Sequence, residues 1–434
     1  MKDIDVINKI HSYGRFGSRL GLERMNKLLE LLDNPHYNLK VIHVAGTNGK
    51  GSVCRYIYSI LKEQGYKTGL YTSPFLERFT ERIEYDGNEI GEEDLIQCAM
   101  PVFEAADKMV SQGFDSPTEF EIVTAIAFYY YEKVKTDYLI LEVGLGGRGD
   151  ATNVMEYPVV SVITTISLEH TQYLGNSLSE IAFEKAGIIK HGCPVVTSVQ
   201  NDKALKVIEK RSNEEECLLI KVPFDGIKNI KSSILSCSFD FLFEGHIYSD
   251  LETVMMGRHQ IENAVTAVTT AEALKKQGVC IDERSIYEGL RKAKQNGRFE
   301  ILSLKPMIII DGAHNIEGIE ALKHTISQLF KDKKILLCIG IVKDKNIPEI
   351  IETILPPIEE VIVTEPENDR KMDAHQLNEL VQKHNKASVP IPDIIKACEY
   401  ALERSSEFDV VLFTGSLYMI GKVRGYIRKI KDNK

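Results

Sequence analysis

Short apolar runs rich in β-formers alternate with helical patterns along almost the whole chain, which leaves little besides an α/β fold with a largely parallel sheet. The runs at 39–45, 68–71, 138–143 and 159–163 are continuous in apolar character, as burial on both faces of a sheet requires. A helix is predicted over 120–131, with Ser116 as its N-cap, Pro117 at the first helical position and Glu119 at the third. A second helix opens at Ser177 with Glu180, carries Glu184 and Lys185, and stops at Gly187. After the polar stretch 292–297 a new α/β set begins, with strands near 307–310, 335–339, 360–363 and 410–413. The reading is therefore a P-loop-type, mainly parallel sheet ATPase domain over 1–296 and a smaller Rossmann-like α/β domain over 297–434. Residues 201–256 have weaker periodicity and read as β-hairpins or an insertion.

Length agrees with two domains, since single cores rarely grow past about 250–300 residues and this chain has 434. A net charge of −10 argues against a broad grip on nucleic acid or an anionic membrane. No apolar run reaches the length of a membrane span, and the first ten residues lack a signal-peptide pattern. A cytoplasmic, monomeric enzyme acting on small molecules is expected. The eight cysteines form no Cys-x-x-Cys pair or Cys/His cluster, so neither zinc nor a disulfide is assigned.

Chemistry concentrates first at Gly46, Thr47, Asn48, Gly49, Lys50, Gly51 and Ser52, between a predicted strand and the helical stretch 53–64. Small residues there let backbone N–H groups close around phosphate oxygens, the helix adds its positive end, and Lys50 adds a full charge. The strict Walker spacing is not met, because its first glycine falls at Val44 and Gly51 follows the lysine. A turn with a solvated lysine would look similar. Against that, the strand at 138–143 carries Glu142 near its end, where a nucleotide's magnesium would be held in a parallel sheet.

These segments, with Thr72-Ser73-Pro74, Glu142-Val143-Gly144-Leu145-Gly146-Gly147-Arg148, Glu184-Lys185-Ala186-Gly187 and Asp311-Gly312-Ala313-His314-Asn315, resemble the folylpolyglutamate and dihydrofolate synthases of the Mur ligase superfamily. Gly21–Met25 and Thr414–Tyr418 extend the likeness over nearly the whole chain. The resemblance implies that 47–52 surround the ATP phosphates, that Ser73, Glu142 and His170 help hold Mg2+, with two ions in all, and that Lys185 is carbamylated. It further implies that Asn263, Arg298, Asp311 and His314 serve the nucleotide, Ser416 the incoming glutamate, and Asp150 and Thr118 the folate. Two departures stand out: Phe75 where the family often has His, and Glu169 where it often has Asp.

The implied reaction is ATP-dependent addition of L-glutamate to folate through an acyl phosphate, and it extends to dihydropteroate, because 146–153 resembles the form found in bifunctional enzymes that also use that acceptor. Lys50 would neutralise charge on the transferred phosphoryl group, and His314 is a candidate to assist the amine. Three alternatives stay open: polyglutamylation alone, a Mur-type amino-acid ligase acting on a UDP-linked substrate, and an ATP-binding regulatory module that joins nothing. The phosphate loop starts at Gly46, which leaves no room ahead of it for a UDP-binding domain.

Overall fold

The computed structural model describes residues 3–16 and 19–432. The chain divides into two compact units, one of Met1–Lys228, Asp240–Glu252 and Glu262–Ala293, the other of Asn229–Phe239, Thr253–Ile261 and Lys294–Lys434. No helix among the described residues is long and apolar enough to cross a membrane.

The first unit is built on strands β1 (Val41–Ala45), β2 (Thr68–Tyr71), β3 (Ile83–Tyr85), β4 (Asn88–Glu89), β5 (Tyr138–Glu142), β6 (Val160–Ile163), β7 (Val195–Thr197) and β8 (Leu219–Lys221). Their order across the sheet is β4-β3-β2-β5-β1-β6-β7-β8. Only β3 runs against the others, antiparallel to both β2 and β4, and β1, β2, β5, β6 and β7 are buried along their whole length. This is the α/β architecture expected from the continuous apolar runs.

Register places the site. Val44 lies opposite Glu142, and Ala45 opposite Ile163, so β1, β5 and β6 end at one level and their following loops emerge side by side. The chain leaves β1 toward β2 through helix Lys50–Glu63, whereas β6 leads outward in the other direction to β7 and β8. Connections departing in opposite directions open the crevice in which such sheets bind ligands.

Two details differ from expectation. The helix Glu119–Lys133 is capped by Thr118, not Ser116. Thr118 Oγ1 accepts from the N–H of Glu121, and Glu121 Oε2 accepts from the N–H of Thr118 at 2.7 Å, a reciprocal box that Ser116 with Glu119 does not form. Arg24 Nε donates to the same Oε2 at 3.1 Å and holds Glu121 in place, while Glu119 turns to His11 instead. Residues 201–256 do not begin with hairpins. Asn201 caps a helix, Asp202–Glu214, that feeds β8 into the first sheet; its buried stripe of Ala204, Ile208 and Ser212 is narrow and its other residues mostly charged. The hairpins follow as β9 (Ile227–Ser232), β10 (Cys237–Phe243) and β11 (His246–Thr253), a separate three-stranded sheet.

The second unit carries a six-stranded sheet from β12 (Glu300–Leu304), β13 (Met307–Ile310), β14 (Ile335–Ile339), β15 (Glu360–Val363), β16 (Ala387–Pro390) and β17 (Val410–Thr414), in the order β12-β13-β17-β14-β15-β16. Apart from β12 all neighbours are parallel. The isoleucine-, leucine- and valine-rich centres of β13, β14, β15 and β17 are covered on both faces.

Candidate functional site

The loop 46–49 turns sharply from β1 into helix Lys50–Glu63. Gly49 caps that helix at φ +86°, and no side chain caps it, so the first N–H groups of the helix face the loop. A Cβ on Gly49 would lie 2.5 Å from Asn263 Oδ1, which puts Asn263, in helix Arg258–Lys276, directly on the loop. A Cβ on Gly46 would fall 1.7 Å from Thr164 Oγ1. That hydroxyl donates to the Asn48 carbonyl at 2.8 Å, while the Thr47 N–H donates to Thr165 O at 2.7 Å and the Ser167 N–H to Thr47 Oγ1 at 3.1 Å. The segment after β6 thus clasps the loop from one side. Thr164, Thr165 and Ser167 were not foreseen; their only sequence signal is their place just past a buried strand.

Two lysines converge there. Lys50 Nζ donates to the carbonyls of Gly46 (3.0 Å) and Thr47 (3.1 Å), and Lys185 Nζ donates to Gly46 at 2.7 Å. Lys185 lies on helix Leu178–Ala186 and is 4% exposed; burial, and next the charge of Lys50, pull its pKa down to about 7. At the end of β5, Glu142 is likewise 4% exposed, and its Oε2 accepts from the Ser73 N–H at 3.0 Å, which joins two of the residues read as metal-holding. His170, the third, is exposed at φ 50° ahead of the short helix Thr171–Leu174. Among the described residues no three His, Cys, Asp or Glu side chains gather as a metal cluster.

The glycine-rich loop after β5 packs on the helix that carries Lys185. The Arg148 N–H donates to Glu184 O at 2.7 Å, and its guanidinium pairs with the Glu184 carboxylate. Asp150 is buried inside this loop: Oδ2 accepts from the Leu145 N–H, and Oδ1 from the N–H and hydroxyl of Thr152. Burial raises its pKa while these bonds hold it down. Thr152 also meets Nε2 of His43 at 2.9 Å, a buried histidine on β1 kept neutral by burial, with a pKa near 3. Asp150 therefore fixes the loop's conformation from within, and Thr118 is engaged in its helix cap.

In the second unit, considered alone, the predicted residues also meet at strand ends. The Asp311 N–H donates to Phe413 O, and Asp311 is buried with its carboxylate accepting from the N–H groups of Phe299 (2.7 Å) and Ala313 (2.8 Å); burial raises its pKa and Arg298 opposes the rise. Its bond to Phe299 braces a non-glycine residue at φ 43°. A Cβ on Gly312 would lie 3.1 Å from Arg298 Nη1. His314 Nδ1 meets Gly312 O at 2.8 Å, which makes Nδ1 the donor. Ser416, buried, follows Gly415, whose N–H donates to Ala313 O.

A parallel sheet with an uncapped glycine loop and a strand-end carboxylate at its crevice, in a chain with a further α/β unit, is the make-up of a nucleotide-binding α/β enzyme. Residues 44–271 match the Mur ligase middle domain, and residues 297–417 the Mur ligase glutamate ligase domain. The dihydrofolate synthase/folylpolyglutamate synthase of Bacillus subtilis is 38% identical over 434 residues, covering 97% of this chain and 98% of its own. A Mycobacterium tuberculosis folylpolyglutamate synthase complexed with ADP and AMPPCP superposes with a TM-score of 0.91 at 27% identity, over 98% of this chain and 99% of that one. Escherichia coli FolC in complex with DHPP and ADP gives 0.87 at 30% identity, over 98% of each chain. The chain belongs to the Mur ligase family, in its folylpolyglutamate synthase/dihydrofolate synthase group.

Proposed function

We propose that this protein joins the amine of L-glutamate to a carboxylate of a folate, using ATP to activate the carboxylate as an acyl phosphate. The observation that carries the reading is the buried Glu142 carboxylate beside Ser73, one strand away from the uncapped loop of β1. ADP and AMPPCP in the M. tuberculosis relative, and DHPP in FolC, are what such a site would take.

The donor set fits Mg2+, a hard ion that keeps several waters and needs few protein ligands: one buried carboxylate, the Ser73 hydroxyl and an exposed imidazole at His170. When bound, magnesium neutralises charge on the phosphate oxygens. Residues 47–52 and Asn263 cradle the phosphates, and Lys50 exchanges its loop carbonyls for phosphate oxygens. The substrate carboxylate attacks the γ-phosphorus, the bond to the β–γ bridging oxygen breaks, and ADP leaves. Phosphate is then a far better leaving group than oxide when the glutamate amine attacks the acyl carbon. Lys185 with a pKa near 7 holds a substantial neutral fraction at physiological pH, the form that adds to CO2 to give a carbamate and a proton. In this reading 1–296 handle ATP and the folate, with Asp150 and Thr118 on the folate side. Residues 297–434 handle glutamate, with Ser416 as the candidate to hold it and His314 to assist its amine, while Arg298, Asp311 and His314 serve the nucleotide; the glutamate ligase match over 297–417 supports a glutamate-handling unit.

Dihydropteroate is proposed as a second acceptor, on the form of residues 146–153 and the double name of the B. subtilis relative. The test is phosphate release by purified protein with ATP, Mg2+ and L-glutamate, offering tetrahydrofolate and dihydropteroate separately. Release that requires glutamate and either acceptor supports the reading. ATP turnover indifferent to both would make the chain a non-ligating ATPase, and product from tetrahydrofolate alone would remove the second activity.

A further inference from the structure

The cysteines are scattered along the sequence, yet the fold brings two of them together at the outer edge of the first sheet. β7 and β8 pair in parallel, with Val195 opposite Leu219. Two backbone bonds bracket the entry to this pair, from the Gly192 N–H to Glu215 O at 2.8 Å and from the Val195 N–H to Leu218 O at 2.9 Å. Both bonds keep the same offset between the two segments, so the register runs back to set Cys193 opposite Cys217. One strand spacing, about 4.8 Å, lies inside the Cα separation of about 4.4–6.8 Å that a disulfide spans.

The side chains converge as well. Cys217 Sγ donates to the Lys190 carbonyl at 3.1 Å and Cys193 Sγ to the His191 carbonyl at 3.5 Å, so both thiols rest on consecutive carbonyls of one turn. Both are free thiols; Cys193 is buried and Cys217 only partly so. Burial raises both in pKa, Cys193 to about 11 with the charge of Cys217 as the next cause, while the N–H groups of Cys193 and Gly192 oppose the rise at Cys217. Reaction between them therefore rests on contact rather than on an acidic thiol. Cys338 and Cys398 also influence each other, but both are enclosed, whereas Cys217 is open to a small reagent.

We propose that Cys193 and Cys217 are a thiol-modification site, closed to a reversible disulfide by exchange with a low-molecular-weight disulfide. The Cys217 thiolate attacks one sulfur of the small disulfide, whose S–S bond breaks and releases a small thiolate. The Cys193 thiolate then attacks Cys217 Sγ, and the second small thiolate leaves. The protein gives up two protons and two electrons, and the small disulfide becomes two small thiols. The bridge ties together the N-terminal ends of β7 and β8 and closes the loop that holds helix Asp202–Glu214, on the opposite edge of the sheet from the strand ends that carry the site. Its effect falls on stability, through the constraint it places on the unfolded chain.

The experiment incubates the folded full chain with excess oxidised glutathione, blocks the remaining thiols with N-ethylmaleimide, and maps the cysteines by peptide mass spectrometry with and without dithiothreitol. Wild type, Cys193→Ser and Cys217→Ser are compared, and thermal unfolding is recorded for the reduced and oxidised wild type. Wild type is expected to give one peptide pair joined through Cys193 and Cys217, separated by dithiothreitol, and to unfold a few degrees later when oxidised. Cys193→Ser is expected to retain glutathione on Cys217, and Cys217→Ser to leave Cys193 free of it. Glutathione held on wild-type Cys217 with no cross-link would overturn the proposal, as would two cysteines left unchanged or a cross-link that forms only in urea. Earlier unfolding of the oxidised protein would equally sink it, since the native fold would then not accommodate the bridge. Mapping of wild type decides the matter even where a variant fails to fold.

Discussion

Lys50 and Lys185 aim their amines at one acceptor, the carbonyl oxygen of Gly46, at 3.0 and 2.7 Å. A carbonyl has two lone pairs and can accept both, but two ammonium groups that close repel each other. The buried member gives way: Lys185 has the lowered pKa, burial being the larger cause and Lys50 the second. The same carbonyl thereby holds the phosphate-directed lysine and the carbamate candidate in one geometry.

This pairing makes stability depend on pH in a definite sense. Lys185 titrates near 7 when folded and near 10.4 when unfolded, so between those values the unfolded chain binds more protons and stability rises with pH. Below about pH 7 both states are protonated and the full penalty of a buried charge applies. Lys185→Met is therefore expected to be more stable than wild type at pH 6, by roughly 2–4 kcal/mol, with the difference shrinking toward pH 10. Urea unfolding in CO2-depleted buffer at pH 6, 8 and 9.5 measures it. A difference that does not change with pH would mean the lysine titrates normally.

Lys50→Ala removes the charge meant for the transferred phosphoryl group while touching only loop carbonyls in the fold. Turnover is expected to fall at least about a hundredfold, with the unfolding temperature within a few degrees of wild type. Steady-state kinetics and a melting curve on one preparation suffice. Retained turnover would remove Lys50 from the phosphate site.

Glu142→Gln preserves an oxygen for the Ser73 N–H but discards the charge. The Mg2+ concentration giving half-maximal activity is expected to rise about tenfold or more, taking the lower range seen when metal-site groups are removed. A magnesium titration checks this, and an unchanged midpoint would place the ion elsewhere.

Strands were legible because burial on both faces writes itself into consecutive residues: β2, β13, β14 and β15 begin and end where their apolar runs do. The phosphate loop was legible because its chemistry is local, seven residues between a strand and a helix. What escaped depends on residues far apart in sequence. Thr47 is clasped by Ser167, 120 positions away, and Thr118 wins the helix cap because Arg24 steadies Glu121 from 97 positions away. The helix Asp202–Glu214 was obscured because so few of its residues face the core.

Gly46 offers the sharpest steric test of the loop. An added Cβ would occupy the position of Thr164 Oγ1, 1.7 Å away, and lie 2.9 Å from Thr164 Cβ and 3.3 Å from its Cα, so rotation of the hydroxyl alone gives no relief. Displacing Thr164 also takes a donor from the carbonyls of Ala45 and Asn48. Gly46→Ala is expected to cost about 1–3 kcal/mol, the usual range for overpacking a filled site, and to weaken ATP binding because the loop shifts. Pairing it with Thr164→Ala removes the hydroxyl clash but leaves the contact to Cβ, so the double variant should lose less stability than the two single losses added together. Chemical denaturation of all four proteins measures that coupling. Strict additivity, or a Gly46→Ala protein as stable as wild type, would show that the loop and the segment after β6 do not press on each other as the distances require.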